Sequence, residues 1–263
     1  MHPKLIRGAD LLLLQVMKRL LPLLALLFIG CLLSFAKTYL FIGDSITDGK
    51  WGSPVGYPCS SDKRNHWDKN HILGHGYVEM TAGYLGGEFP DSNYNFINRG
   101  ISGETLYQIV SRWDKEVIEN NPDVVSLLCG TNDIHYWLEK QPEDVLNFDF
   151  AGYKFTLDSI VNLTRRELPD AKIVLCTPFV AKAGKVGEAS DYPLRKAGVD
   201  SIAAIVREVV ETHKTDNVSL VDFNSLALKL SQENPDMEYW VWDGIHPSTA
   251  MHYRMSKEWL NQQ

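Results

Sequence analysis

The chain has 263 residues, 44% of them hydrophobic and 22% charged, with a formal net charge of −7. This composition is that of a globular protein rather than a disordered one, and the length suffices for one α/β domain with a full core. The acidic balance argues against nucleic acid or an anionic membrane surface as a partner.

In chain order, the first element is a targeting segment. Lys18 and Arg19 precede an apolar run at residues 20–33, and Ser34-Phe35-Ala36 follows as a small-x-small cleavage site. Residues 1–36 therefore read as a signal peptide, with Met17 as an alternative start, and residues 37–263 as the folded domain. The apolar run is about 14 residues, short of the ~20 that span a bilayer, so no stable membrane span is expected after cleavage. Cys31, behind Phe28-Ile29-Gly30, loosely resembles a lipoprotein box and leaves lipid anchoring as the lesser alternative. The expected location is secreted or periplasmic. Cleavage leaves Cys59, Cys129 and Cys176, and an odd count argues against a disulfide framework.

Beyond this segment, strand and helix patterns alternate. Strands are expected at residues 38–43, 94–98, 124–129, 172–176 and 218–221. Helices are expected at 75–85, 104–120, 150–168, 193–212 and from Pro247 to about Leu260. The helix at 104–120 carries Leu106, Ile109, Val110, Trp113, Val117 and Ile118 at helical spacing. Short apolar strands alternating with longer helices imply βαβ units around a parallel sheet. The expected architecture is a flavodoxin-like three-layer α/β/α sandwich with a five-stranded parallel sheet in the order 2-1-3-4-5. Residues 51–73 and 177–192 are too long for plain connections and are expected to be functional or mobile.

Four polar, glycine-containing blocks punctuate this pattern: Gly43-Asp44-Ser45, Asn98-Arg99-Gly100, Gly130-Thr131-Asn132-Asp133 and Asp243-Gly244-Ile245-His246. The first three each follow an expected strand. Ligands and chemistry in open α/β sheets gather beyond the strand carboxyl ends, so distant blocks would meet there. Ser45 alone reads as a turn serine, and Asp243 and His246 alone as a cap and a surface histidine. Together they supply a nucleophile, a base and the carboxylate that orients the base. Asn132 offers a side-chain amide, and Gly100 a backbone N–H that substrate can approach closely. Asp44, Asp48 and Asp133 read as loop-fixing residues. His66, His71 and His75 fit no metal-ligand spacing, so no metal is expected.

This combination of blocks resembles the SGNH hydrolase family, also called GDSL esterases, over nearly all of residues 38–260. There is no G-x-S-x-G elbow, which argues against the α/β-hydrolase fold. The resemblance implies a serine esterase that needs neither metal nor cofactor. In that reading Ser45 is the nucleophile, His246 the base and Asp243 its orienting acid, with an oxyanion hole formed by Ser45, Gly100 and Asn132. Aromatic residues near these blocks, among them Trp51, Trp67, Tyr136, Trp137, Trp240 and Trp242, suit either sugar stacking or packing. Trp51, Trp67, Tyr136 and Trp242 are taken as substrate-binding candidates. The expected function is removal of O-acetyl groups from carbohydrates, with a small-molecule or glycan ester as partner. The alternatives are a lipolytic acylhydrolase and a non-catalytic glycan-binding protein on the same scaffold.

Overall fold

The computed structural model describes residues 36–49 and 72–262, and Lys37–Gln263 forms a compact unit of its own. The expected signal peptide lies outside the described residues. So do Cys31, Trp51, Cys59, His66, Trp67 and His71, together with the expected loop at residues 51–73 apart from its last two positions.

Five strands form the sheet: β1 (Thr38–Gly43), β2 (Asn95–Gly100), β3 (Val124–Leu128), β4 (Lys172–Cys176) and β5 (Val218–Val221). Their order is β2-β1-β3-β4-β5 and every pairing is parallel, as the strand and helix pattern implied. Successive side chains leave a strand on opposite faces. Leu40 and Ile42 of β1 therefore enter one core with Val125, Leu127, Ile173 and Leu175, while Tyr39 and Phe41 enter another with Val124, Leu128, Val174 and Cys176.

Helices cover both faces. On the first lie α3 (Leu106–Ser111), α4 (Thr131–Lys140), α5 (Phe150–Glu167) and α7 (Tyr192–Thr212). On the second lie the short α1 (Ser45–Asp48), α2 (Tyr77–Glu88), α8 (Phe223–Glu233), α9 (Met237–Trp240) and α10 (Thr249–Leu260), and α6 (Gly184–Glu188) follows β4. β3, the central strand, is buried along its whole length, whereas the edge strand β2 keeps Asn95 exposed.

Three departures from the expected elements have local causes. The helix expected at 104–120 is broken: α3 stops at Arg112, whose φ of −115° and ψ of 9° leave the helical region, and Asp114–Ile118 continues as a π-turn. The break lets Trp113 stay in the core and donate its indole N–H to Thr164 Oγ1 at 3.0 Å, while Arg112 turns back to grip Glu104. Pro247 does not open the last helix. It pairs with Val241 in an isolated antiparallel bridge, and Ser248 is the N-cap, its hydroxyl accepting from Met251 N–H. The helices α4 and α8 were not expected. Helix α4 begins inside a polar block, whereas α8 carries a legible signal in Phe223, Leu226, Ala227 and Leu230 behind the cap Asp222.

Asp222 also joins three elements. It accepts from Ser225 N–H at 3.0 Å, from Thr177 Oγ1 at 2.8 Å, and from both Nε and a terminal nitrogen of Arg207. Burial pushes its carboxyl up, but Arg207 and the N–H and O–H donors outweigh that and bring it down to about 2. A carboxylate with a lowered folded-state pKa stabilises above its ordinary range, near 4, and loses that contribution as the pH falls toward 2. The melting temperature of Asp222→Asn is therefore expected to lie furthest below wild type above pH 4, with the gap closing toward pH 2. Thermal melts across that range check it, and a gap that does not narrow would locate the effect in packing instead.

Candidate active site

Three of the four blocks stand at the carboxyl ends of adjacent strands. Ser45 opens α1 directly after β1, and Asp44 caps that helix by accepting from Ile46 N–H at 3.0 Å. Asp44 is almost wholly buried. Burial raises its carboxyl to about 6, against the pull of the Ile46 bond and of nearby His246. The loop-fixing roles expected of Asp44 and Asp48 match these contacts, since Asp48 Oδ2 accepts from Ser102 Oγ at 2.6 Å and so ties α1 to the turn after β2. Asn98 adds a second tie, its amide donating to the carbonyls of Thr47 at 2.7 Å and Leu73 at 2.8 Å. Its role was not evident from sequence beyond its place in a polar block.

The fourth block reaches Ser45 from the far end of the chain. Ser45 Oγ lies 2.9 Å from His246 Nε2, and His246 Nδ1 lies 2.6 Å from Asp243 Oδ2. With Nδ1–H donating to the carboxylate, Nε2 is left as the acceptor for the serine hydroxyl. The other carboxylate oxygen of Asp243 accepts from the N–H groups of Ile245 at 2.9 Å and His246 at 2.7 Å. Burial works against ionisation of Asp243, but the His246 ring and these two amides outweigh it and hold the carboxyl below the usual range. The turn itself is closed by the Val241–Pro247 bridge and by Ser248 N–H donating to Trp240 O at 2.7 Å.

On the donor side of the site, Asn132 and Gly100 both already donate hydrogen bonds within the fold. Asn132, the second residue of α4, is buried and donates one amide hydrogen to Glu104 O at 3.0 Å. The amide carries a second hydrogen for another acceptor. Gly100 ends β2 and packs on α1, where a Cβ would lie 2.3 Å from Asp48 N. Its N–H donates to Asn98 Oδ1 at 2.8 Å, which commits to a side chain the hydrogen expected for the oxyanion. Gly103, three residues on, has a φ of +86° that side chains rarely adopt, and adjoins Glu104, the residue that holds Asn132. The left-handed turn needs glycine there. The second glycine of Gly-Ile-Ser-Gly is the sequence signal for that turn.

Asp133 supports this turn from below. Its two carboxylate oxygens accept from Leu106 N–H at 3.1 and 3.3 Å, which joins the starts of α3 and α4. Burial raises its carboxyl to about 7, with the Leu106 bond pulling the other way. Glu104 is anchored in turn by Arg112, whose Nε and a terminal nitrogen donate to its carboxylate at 2.8 and 2.5 Å.

Of the aromatic candidates within the described residues, Trp242 is 61% exposed and lies over the His246 ring at 6.3 Å with the planes 23° apart. Tyr136 is partly exposed, and its hydroxyl approaches Gly103. Trp240 is buried against the core, and Trp137 packs on the core's edge. Among the described residues no three His, Cys, Asp or Glu side chains are grouped to hold a metal, and no helix is long and apolar enough to cross a membrane.

Residues 41–254 match the model of the GDSL-like lipase/acylhydrolase family. The chain is 32% identical over 230 residues to an acetylxylan esterase of Geobacillus stearothermophilus, a match covering 85% of this chain and 92% of that one. A solved structure of acetyl xylan esterase from that organism superposes with a TM-score of 0.67 at 29% identity, covering 86% of this chain and 93% of the other. A GDSL-like lipase structure from Parabacteroides merdae superposes with a TM-score of 0.71 at 29% identity, covering 86% and 94%. Solved catalytic mutants of the Geobacillus esterase replace a serine, an aspartate and a histidine, and the last two stand three positions apart.

Proposed function

The chain belongs to the GDSL-like lipase/acylhydrolase family and is a serine carboxylic ester hydrolase; from that premise we propose that it is an exported carbohydrate esterase that removes acetyl groups through an acyl-enzyme on Ser45. The observation that carries the chemistry is the continuous path from Ser45 Oγ through His246 to Asp243, with contacts of 2.9 and 2.6 Å. Similarity to an acetylxylan esterase supports a glycan substrate. The basic, apolar and small-residue order of residues 18–36 supports export.

In this reading His246 Nε2 takes the Ser45 proton as the hydroxyl attacks the ester carbonyl, and Asp243 stabilises the imidazolium that results. The tetrahedral oxyanion is held by the N–H groups of Ser45 and Gly103 and by the Asn132 amide. We place the second backbone donor at Gly103 rather than Gly100, because the Gly100 N–H is taken by Asn98. His246 then gives the proton to the departing sugar oxygen as the acyl C–O bond breaks, freeing the sugar hydroxyl, and water repeats the sequence on the acetyl-enzyme to release acetate. Trp242, exposed beside His246, offers a flat apolar face where a sugar ring of the leaving group can rest.

Two measurements test this account. Acetate released from acetylated xylooligosaccharides is compared with hydrolysis of p-nitrophenyl esters of increasing chain length. Rapid acetate release and a fall in kcat/KM with acyl length are expected, whereas preference for long chains would make the enzyme lipolytic. Asn132→Ala is expected to lower kcat by about 10²–10³, the cost of one oxyanion donor, with little change in KM. A raised KM at unchanged kcat would make Asn132 a ground-state binding residue.

A further inference from the structure

The long connection between β4 and α7 does not serve only to cross the surface. Its first part is core: Ala181 and Ala183 are buried with the residues of the second face. Its apex lies against the turn that carries Asp243 and His246. Ala181 N–H donates to Gly244 O at 2.9 Å, and Val186 N–H donates to Asp243 O at 3.3 Å. Gly184 sits between these two bonds with a φ of +48°, and its N–H donates to Glu238 Oε1 at 3.2 Å.

We propose that Gly184 is a positioning residue for Asp243: the apex of this loop, wedged between the core and the acid-bearing turn, sets where the carboxylate meets the His246 ring. A Cβ at Gly184 would stand 2.6 Å from Trp242 O and 2.7 Å from Asp243 Cα. Both are backbone atoms, so no flexible side chain can swing aside. The fit is reciprocal, since a Cβ on Gly244 would stand 2.6 Å from Val186 Cβ and 2.7 Å from Ala183 O. The loop and the turn therefore fix each other at close range, through backbone atoms at Gly184 and through Ala183 O and the Val186 side chain at Gly244. A methyl group at position 184 must move Asp243 Cα, and with it a carboxylate whose two oxygens already hold His246 Nδ1 and two backbone N–H groups. The loop supplies none of the reacting atoms. It acts through Asp243.

The test uses the full folded domain and a double-mutant cycle, because a residue that acts only through Asp243 has nothing to act on once Asp243 is gone. Four proteins are compared: wild type, Gly184→Ala, Asp243→Ala and the double variant. The readouts are kcat and KM for p-nitrophenyl acetate and the rate of labelling by a fluorophosphonate, which stays measurable in slow variants. Gly184→Ala is expected to lower kcat by about 10- to 100-fold, the scale of a sub-ångström to 1 Å misplacement, with KM changed less than about threefold. In the Asp243→Ala background the same substitution is expected to change the labelling rate by less than about twofold. Full activity of Gly184→Ala, or an equal loss in both backgrounds, overturns the proposal. If Gly184→Ala does not fold by circular dichroism, Glu238→Ala removes the partner of the Gly184 N–H without steric conflict. A loss of a few-fold in kcat, absent without Asp243, then supports the proposal, and no loss overturns it. The proposal rests on the Ser45–His246–Asp243 reading, and an Asp243→Ala enzyme of wild-type activity would defeat that reading first, so the two failures are separable.

Discussion

Ser45→Ala is expected to lower kcat by about 10⁶ while the protein remains folded, a loss comparable to removal of a nucleophile from other serine hydrolases. Ser45 is the only serine whose hydroxyl reaches His246 among the described residues, at 2.9 Å. Its side chain makes no contact that α1 needs, because the helix is capped by Asp44 and locked to β2 by Asp48 and Asn98. The melting temperature should therefore change by no more than a few degrees. Activity is read with p-nitrophenyl acetate and occupancy with a fluorophosphonate, which should leave the variant unlabelled. A folded Ser45→Ala protein that keeps a tenth of wild-type activity would remove serine catalysis from the account.

Asp243→Asn is expected to cost about 10⁴ in kcat, because an amide in place of the carboxylate favours the wrong histidine tautomer and no longer stabilises the imidazolium. In the wild type the His246 Nδ1–H donates to Asp243 Oδ2 at 2.6 Å. An Asn amide at that position donates instead, so Nδ1 becomes the acceptor and Nε2 carries the proton that should come from Ser45. A nearby anion favours the charged imidazolium, and its removal lowers the pKa of the ring. The acid limb of kcat/KM is therefore expected to move to lower pH as the rate falls. A loss of rate with an unmoved limb would assign Asp243 a purely structural part.

The sheet was legible because β1, β3 and β4 are short, mainly apolar runs that are buried almost throughout, with the less apolar β2 and β5 at its edges. The four blocks were legible as chemistry because a nucleophile, a base, a carboxylate and an amide all fall just beyond strand ends or in one late turn. What sequence did not disclose was how backbone N–H groups are spent. Gly100 and Gly103 are equally plausible donors in one dimension, and the Asn98 side chain, which takes the Gly100 N–H at 2.8 Å, is the reason the proposed mechanism uses Gly103. The break in the helix at Arg112 was hidden for a similar reason. The apolar spacing continues through it, and the cause lies in partners outside the helix, Thr164 far along the chain for Trp113 and the Glu104 carboxylate just ahead of the helix for Arg112. Helix α8 had a readable pattern, while α4 was obscured because its first turn is the polar block that carries Asn132 and Asp133.

The separation of 201 residues between Ser45 and His246 has a bearing on synthesis. At about 5–20 residues per second, the proposed nucleophile is made roughly 10–40 s before its proposed base. Throughout that interval the nascent chain carries the serine without the histidine that would deprotonate it, although β2 to β5 are all made before residue 246. In the proposed mechanism, catalytic competence therefore waits for the turn at residues 241–247. A fragment clipped ahead of that turn keeps Ser45, Asn132 and the residues of all five strands, and is expected to be inert.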